Sequence, residues 1–283
     1  IEYLNSRKRE LQFLDTVYSE LVNAATIRFN SGETNLLAKT TAEVKRGELQ
    51  LLLKSNEAEI EIAYSSLRSL VNSGRDFVIA ESVSYKPLLL EMTADTSVLN
   101  SNPSIKLMYQ NAEIVNRSMK LESAEMLPDF NLGYANQSII GLQNIEGSEV
   151  YYGGGKRFSS FNVGIKLPLT FFNGNARIES KEVKQKSLLK EAENGKLILR
   201  AQLEKAYQQY SQGLSHIKHY EELALPNSEI ILSTARISYA SGEIGYIEFL
   251  QSLQTVTDIR LGYLDSINEL NQTVIGINSL INK

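Results

Sequence analysis

His216 and His219 are spaced for chemistry: on a helix, histidines three apart bring two imidazoles within reach of one metal ion. No acidic third ligand is fixed nearby by the sequence, so a solvated or packed pair is the preferred reading. Met108, Met119 and Met126 carry thioethers, soft ligands for Cu(I), yet each fits an apolar helical pattern and packing is preferred. Gly153-Gly154-Gly155-Lys156 has the residue types of a phosphate loop without its spacing or its Ser/Thr, which makes it a flexible loop tip. No Ser/His/Asp group, no close pair of carboxylates in an evident pocket and no cofactor loop argues for catalysis. The expectation is a protein that is not an enzyme and needs no cofactor.

A more regular signal lies in a turn that occurs twice. Residues 27–37 read IRFNSGETNLL and residues 237–247 read ISYASGEIGYI, laying Ile27 on Ile237, Phe29 on Tyr239 and Ser31-Gly32-Glu33 on Ser241-Gly242-Glu243. Each copy sits between two long helical patterns. The incoming helix is expected to stop with Gly32 or Gly242 in the left-handed cap conformation. Glu33 or Glu243 is then expected to start the next helix, where a negative charge suits the dipole. Two matches in matched surroundings point to duplication.

The 283 residues are 42% hydrophobic, enough for one large or two ordinary domains with a core. A net charge of −4 with no Lys/Arg-rich run excludes broad attraction to nucleic acid. Without cysteine there are no disulfides, thiolate metal sites or cysteine nucleophiles. No apolar run of about 18 residues is present, which excludes an ordinary membrane-spanning helix, while a membrane β-hairpin escapes that test.

The elements that position the two turns follow in order. Leu4, Leu11, Tyr18 and Ala25, with Leu14 and Leu21 between them, form a heptad-like seam already under way at Ile1, and the expectation is a chain cut from something longer. After Gly32, Leu37, Val44 and Leu51 continue a seven-residue spacing, and Ile62, Leu67, Leu70 and Val71 carry it on to about Asn72. The pattern breaks at Ser73-Gly74, and the segment FVIAESVSYKPLLL (77–90) reads as a linker. Asn102-Pro103 opens a helix to about 125, with Pro103 in the first turn, and Pro128 ends it. Residues 129–137 and 159–169 alternate apolar Phe130, Leu132, Tyr134 and Phe161, Val163, Ile165, Leu167, Leu169 with polar or small residues, the pattern of two strands joined by a long loop over 138–158. From Ala176 to Leu225 runs one helical pattern; Pro226 then kinks or restarts it, with Asn227 or Ser228 as the cap. The last arm steps through Val256, Ile259, Tyr263, Ile267, Leu270, Val274, Ile277 and Ile281.

The turns RFNSGETNLL and SYASGEIGYIEFLQ, the NPSIKL opening, the LPDFNLGY strand, the GIKLPLTFFNGNARI exit and the ALPNSEI kink together resemble the TolC-like outer-membrane efflux factors. The likeness is greatest to their CusC/CzcC heavy-metal branch, including the version carried as a C-terminal extension of CzcA-type pumps, and it covers nearly the whole chain. It implies a mainly α fold with a β-hairpin: long coiled-coil helical hairpins of an α-barrel plus two strands of a β-barrel. Residues 1–73 would be the C-terminal helical hairpin of repeat 1, 74–97 a linker, and 98–283 repeat 2 with its β-hairpin at 129–169 and turn at 241–243. The first hairpin of the family pattern is missing, so two strands per chain give six in a trimer where the family has twelve.

The resemblance further implies an exit duct in the outer membrane and periplasm of a Gram-negative bacterium, exporting heavy-metal cations passively (the copper, silver, cobalt, zinc or cadmium class). Its partners would be a periplasmic membrane-fusion adaptor and an RND-type inner-membrane pump, separate or on the same polypeptide, with the full-length protein a homotrimer. The adaptor would dock at Ser31, Gly32, Glu33, Ser241, Gly242 and Glu243. Carboxylates beyond the second turn narrow the mouth in the family; Glu248 fits that position, Gln251 stands where a second acid is often found, and Ala38 and Thr41 are the first-repeat equivalents. A plain solvated helix face remains open for Glu248. So does another class, a soluble periplasmic helical-hairpin adaptor or scaffold whose strands form a small water-exposed sheet.

Overall fold

The structure, a computed structural model, describes residues 1–72, 79, 85–90, 96–168 and 171–281. In chain order the elements are α1 (Glu2–Asn30), α2 (Leu36–Val71), a 3-10 turn (Thr96–Ser101), α3 (Pro103–Glu125), β1 (Asp129–Gln137), β2 (Gly141–Ile145), β3 (Ser148–Tyr152), β4 (Phe158–Lys166), α4 (Phe171–His219), a π-helical turn (Tyr220–Ala224), α5 (Leu225–Ser241) and α6 (Tyr246–Ile281). The mainly helical class with a β-hairpin is what the periodicities called for. Residues 1–96 with 200–283 form one compact unit and 97–199 another, and each is described by itself. The Ser73-Gly74 break and most of the expected linker lie outside the described residues; within it, residues 85–90 belong to no helix or strand.

In the first unit, α1 buries Leu11, Leu14, Tyr18, Leu21 and Ala25, alternate three- and four-residue steps that keep one narrow stripe facing inward. It packs against Ala42 and Leu49 of α2, Leu232, Ala235 and Tyr239 of α5, and Phe249, Leu253 and Val256 of α6. The α2 seam differs from expectation. Leu37, Val44 and Leu51 are exposed, and the inward stripe is instead Ala38, Ala42, Leu49, Asn56 and Ile60. Two stripes on that helix step by about seven, and the one with small residues lets α2 approach α1 closely; within it Asn56 Nδ2 donates to the Leu4 carbonyl at 2.9 Å, while its Oδ1 is buried without a partner.

No cap forms at Pro226. The helix passes through the π turn instead, and Asn227 Nδ2 donates to the Leu223 carbonyl at 2.8 Å while Ser228 Oγ donates to the Leu225 carbonyl at 2.8 Å. Proline has no N–H for the carbonyl four residues back, that of Glu222, and the helix widens by a residue just before it, with Leu225 N reaching the Tyr220 carbonyl.

In the second unit, α3 starts as expected: Asn102 Oδ1 accepts from Ser104 N at 2.9 Å and Pro103 occupies the first turn. Its neighbour α4 runs 49 residues, roughly 73 Å at 1.5 Å per residue. Lys181 Nζ donates to Ser118 Oγ and Glu122 Oε1, both at 2.7 Å. The strands pair antiparallel, β1 with β4, in the register Phe130↔Ile165, Leu132↔Val163, Tyr134↔Phe161. One face of this ladder is therefore apolar over these three pairs, ending at the polar pair Asn136↔Ser159, to which the Tyr134 hydroxyl is hydrogen-bonded. The other pairs Asn131 with Gly164 and Gly133 with Asn162, and a Cβ on either glycine would collide with the opposite asparagine Oδ1.

The connection expected to be a plain loop contains a second hairpin, β2 with β3. Its two-residue turn, Glu146-Gly147, has φ of 52° and 85°, the backbone of a primed turn that glycine favours.

Burial makes a stability prediction for the chain. Leu14→Ala removes a fully buried seam residue and should cost about 3 kcal/mol. Leu51→Ala, on the exposed stripe, should cost under about 1 kcal/mol. Urea denaturation of the two variants checks this, and equal losses would place the α2 seam on the Leu51 stripe.

Candidate functional site

The duplicated turns are nearly identical in backbone. Gly32 and Gly242 each have φ of 78°. Gly32 N donates to the Phe29 carbonyl, and Glu33 N and Thr34 N to the Arg28 carbonyl; in the second copy Gly242 N donates to Tyr239, and Glu243 N and Ile244 N to Ser238. This is a Schellman cap, in which the residue after the glycine closes the incoming helix. Glu33 and Glu243 thus belong to that closure and do not begin the next helix, which starts at Leu36 or Tyr246. Their side chains also face back: Glu243 Oε2 accepts from Ser238 Oγ at 2.7 Å, and Glu33 Oε2 lies 4.0 Å from Arg28 Nε. Each turn is flanked by exposed apolar residues at matched positions, Ile27 and Ile237 at 69% and 70%, Leu37 and Ile247 at 70% and 65%.

Helix starts after the turns are closed by complementary means. In the first copy Asn35 Oδ1 accepts from Ala38 N at 3.0 Å; in the second, Glu248 Oε2 reaches back to accept from Gly245 N at 2.7 Å. These are the two reciprocal halves of a capping box, one in each copy. Glu248 is exposed, as a mouth carboxylate must be, but one of its oxygens is engaged as a cap. Around it a cleft of about 610 Å³ is lined by Thr34, Asn35, Leu37, Thr41, Tyr246 and Glu248.

One arginine joins the two copies. Arg28 Nη2 donates to the Tyr239 carbonyl at 2.6 Å, and its guanidinium lies 4.3 Å from the centre of the Tyr239 ring, which stacks on Phe249 at 4.6 Å. In the first copy the equivalent pair is Phe29 with Lys39, a cation over a ring at 5.6 Å. Beside the stack, the Tyr246 hydroxyl is buried without a hydrogen-bond partner, and burial pushes its pKa up to about 12. Nothing in the sequence alone marked Arg28 or Tyr246, since both roles depend on the packing of the hairpins.

The remaining sequence candidates are not brought together. His216 and His219 are exposed on α4, and among the described residues no group of three or more His, Cys, Asp or Glu is placed to hold a metal ion. Met108 of α3 and Met126, just past the end of that helix, pack their sulfurs into the notches of Gly195 and Gly174 respectively, and eighteen positions, roughly 27 Å at helical rise, put them too far apart to share an ion. Lys156 closes a turn onto the Gly153 carbonyl and lies 4.2 Å above the Tyr152 ring.

These contacts predict the behaviour of three substitutions in thermal or urea unfolding. Gly242→Ala forces a side chain into the left-handed region and should cost about 1 kcal/mol. Tyr246→Phe removes an unpaired buried hydroxyl and should leave stability unchanged or raise it. The folded state favours the protonated phenol, so the contribution of Tyr246 is complete below the ordinary tyrosine pKa of about 10 and fades as the pH rises through about 12. The Phe variant should therefore resist alkaline unfolding better.

With this geometry in place, the chain can be compared with known proteins. Cobalt-zinc-cadmium resistance protein CzcC of Cupriavidus metallidurans is 20% identical over 293 residues, an alignment that takes in 96% of this chain and 67% of CzcC. Among solved structures, CusC, described for conformational changes accompanying folding and transmembrane channel formation, superimposes with a TM-score of 0.82 at 16% identity, covering 99% of this chain and 65% of CusC. A membrane protein from Pseudomonas aeruginosa gives 0.84 at 17% identity, with 99% of this chain and 64% of that one covered. The outer membrane protein VceC of Vibrio cholerae gives 0.80 at 15%, with 99% and 66% covered. The chain thus spans about two thirds of the length of each. Residues 96–283, well over half of the chain, match the family described as Outer membrane efflux protein, and to that family the chain belongs.

Proposed function

We propose that the chain is part of the outer-membrane exit duct of a tripartite efflux system and that its cargo is heavy-metal cations. The observation that carries the reading is the β1–β4 ladder: Phe130, Leu132, Phe161 and Val163 are 77%, 81%, 77% and 78% exposed on one face, opposite a face of asparagine and glycine. Nine-residue strands are the length of a tilted membrane crossing, with the apolar face toward lipid and the polar one toward a lumen. A water-exposed sheet would leave that whole face in solvent, which argues against the scaffold reading.

In this reading residues 1–73 are the latter part of a first repeat and 98–283 a second, and the full-length protein is a homotrimer. The duct sits in the outer membrane and periplasm of a Gram-negative bacterium, an inner-membrane pump of the RND type supplies energy, and transport through the duct is passive. A periplasmic adaptor docks at Ser31-Gly32-Glu33 and Ser241-Gly242-Glu243; the matched apolar pairs beside both turns support that assignment. Heavy-metal cargo rests on the likeness to CzcC and on the exposed carboxylate of Glu248 near the second turn.

Two experiments on the full-length protein test this. Leu132→Arg places a charge on the lipid face at a cost of about 2–4 kcal/mol near the midplane, and should abolish recovery from the outer-membrane fraction; undiminished recovery would remove the membrane assignment. In single-channel recordings Glu248→Gln keeps an acceptor for the cap and loses the charge, so reduced cation selectivity supports the mouth role. Selectivity unchanged in Gln but altered in Glu248→Ala would assign Glu248 to the cap alone.

A further inference from the structure

The β2–β3 hairpin continues from the end of the β1–β4 ladder, and its charges are sorted. Residues 137–158 carry four charged side chains, all exposed: Glu146 and Glu149 at the apex, and Lys156 and Arg157 at the base, next to Phe158 where the ladder resumes. Three to four residues of strand lift the acids roughly 10–13 Å above the base pair Gly141↔Tyr152. Aromatic rings hold the base together. The Tyr152 and Phe158 ring centres are 5.7 Å apart, which joins one hairpin to the other, and Lys156 Nζ stands 4.2 Å from the centre of the Tyr152 ring. The Arg157 guanidinium has no hydrogen bond, ion pair or ring contact among the described residues.

Arg157 also stands in register with the apolar face. Side chains alternate along a strand, so positions 157 and 159 continue the side that carries Phe161, Val163 and Ile165. That side changes along its length in a fixed order. Apolar pairs come first, then a polar cluster in which Asn136 Nδ2 donates to Tyr134 Oη at 3.0 Å and to Ser159 Oγ at 3.2 Å, then an unpaired cation. From Ser159 to Arg157 is roughly 7 Å of strand, or about 5 Å of depth at a 45° tilt, the thickness of one headgroup layer. At the other end of the ladder the cation is on the opposite face, where Lys166 Nζ lies 3.8 Å from Asp129 Oδ2.

We propose, on the reading of the β1–β4 face as lipid-facing, that Arg157 and Lys156 bind the phosphate-bearing headgroups of the lipid leaflet around the outer end of this ladder. The sorting of charge selects that occupant: an anionic layer draws in the two cations at its own level, while the two acids are held clear of it. The two cations have different parts. Arg157 offers a planar fork that takes two phosphate oxygens at once, and Lys156 supplies a point charge held in place by the Tyr152 ring.

Native mass spectrometry of the full-length protein in detergent, titrated with phosphatidic acid or with phosphatidylcholine, tests this. The unsubstituted protein should retain phosphatidic acid in preference. Lys156→Gln and Arg157→Gln should each weaken that preference about fivefold, and the double variant roughly 25-fold. Exchanging the cations, Lys156→Arg with Arg157→Lys, should keep most of it, and Lys166→Gln should leave it unchanged. Equal losses in Lys166→Gln, or a loss in the exchanged variant as large as in the double Gln variant, would overturn the proposal. So would competition by inorganic phosphate at the same concentration, which marks a site for the free anion. Failure to enter phosphatidylcholine vesicles defeats the membrane reading and this inference together. Entry into those vesicles with no preference for phosphatidic acid defeats this inference alone.

Discussion

A helix that buries only one narrow stripe gains too little to fold alone, and the larger unit depends on α1 offering its stripe to three partners at once. Leu11 to Ala25 meet α2, α5 and α6 in one core. The flanks of the same helix carry the ionic partners of all three: Asp15 with Arg46 of α2, Glu20 with Arg236 of α5, and Glu10 and Arg7 with Arg260 and Asp265 of α6. Pairs of this kind add little stability where they are exposed. They do fix register, because a helix slid by one residue would lose every pair together. Arg260, mostly buried, bridges Glu10 and Glu229 and lies 4.6 Å from the Phe13 ring, so it joins α1, α5 and α6 at one point.

Close approach of backbones governs the rest of that unit. Gly213 admits Leu270, and Gly262 admits the Tyr220 hydroxyl at the π turn, where a Cβ would be 2.5 Å from it. The widened turn before Pro226 therefore has a receiving notch in α6. Tyr263, next to that notch, donates to Glu221 Oε1 at 2.8 Å; burial and this carboxylate push the phenol up to about 12. Kink and notch are complementary, which is why the helix bends here without an end and a cap.

Much of this was legible in residue order. The three-and-four steps of α1, the alternation of both long strands and the left-handed glycines each follow from a period or a steric rule that needs no partner. The α2 seam was not, because Leu37-Val44-Leu51 and Ala42-Leu49-Asn56 both step by seven and only the neighbouring helix decides between them. Nor was the β2–β3 hairpin, whose strands of five residues mix polar and apolar side chains on each face. At the turns, sequence placed the glycines correctly but assigned Glu33 and Glu243 to the wrong helix, since a Schellman closure reaches one residue past the glycine. The pairing of Asn271 of α6 with the Leu88 amide and the Lys86 carbonyl was hidden for another reason: these partners are backbone atoms of a segment more than 180 residues away.

The division of the capping box between the two turns bears on how the copies tolerate change. In the first, the side chain at Asn35 does the closing and position 38 holds an alanine with no such role; in the second, the closing group is at Glu248 and position 245 holds a glycine whose φ is not left-handed. The demand made by capping is therefore inverted: it falls on Glu248 and not on its twin Ala38, which burial constrains instead, and on Asn35 and not on its twin Gly245. Two hairpins that share a backbone have become non-interchangeable in sequence, and a chimera exchanging only their first helical residues would leave one start closed twice and the other not at all.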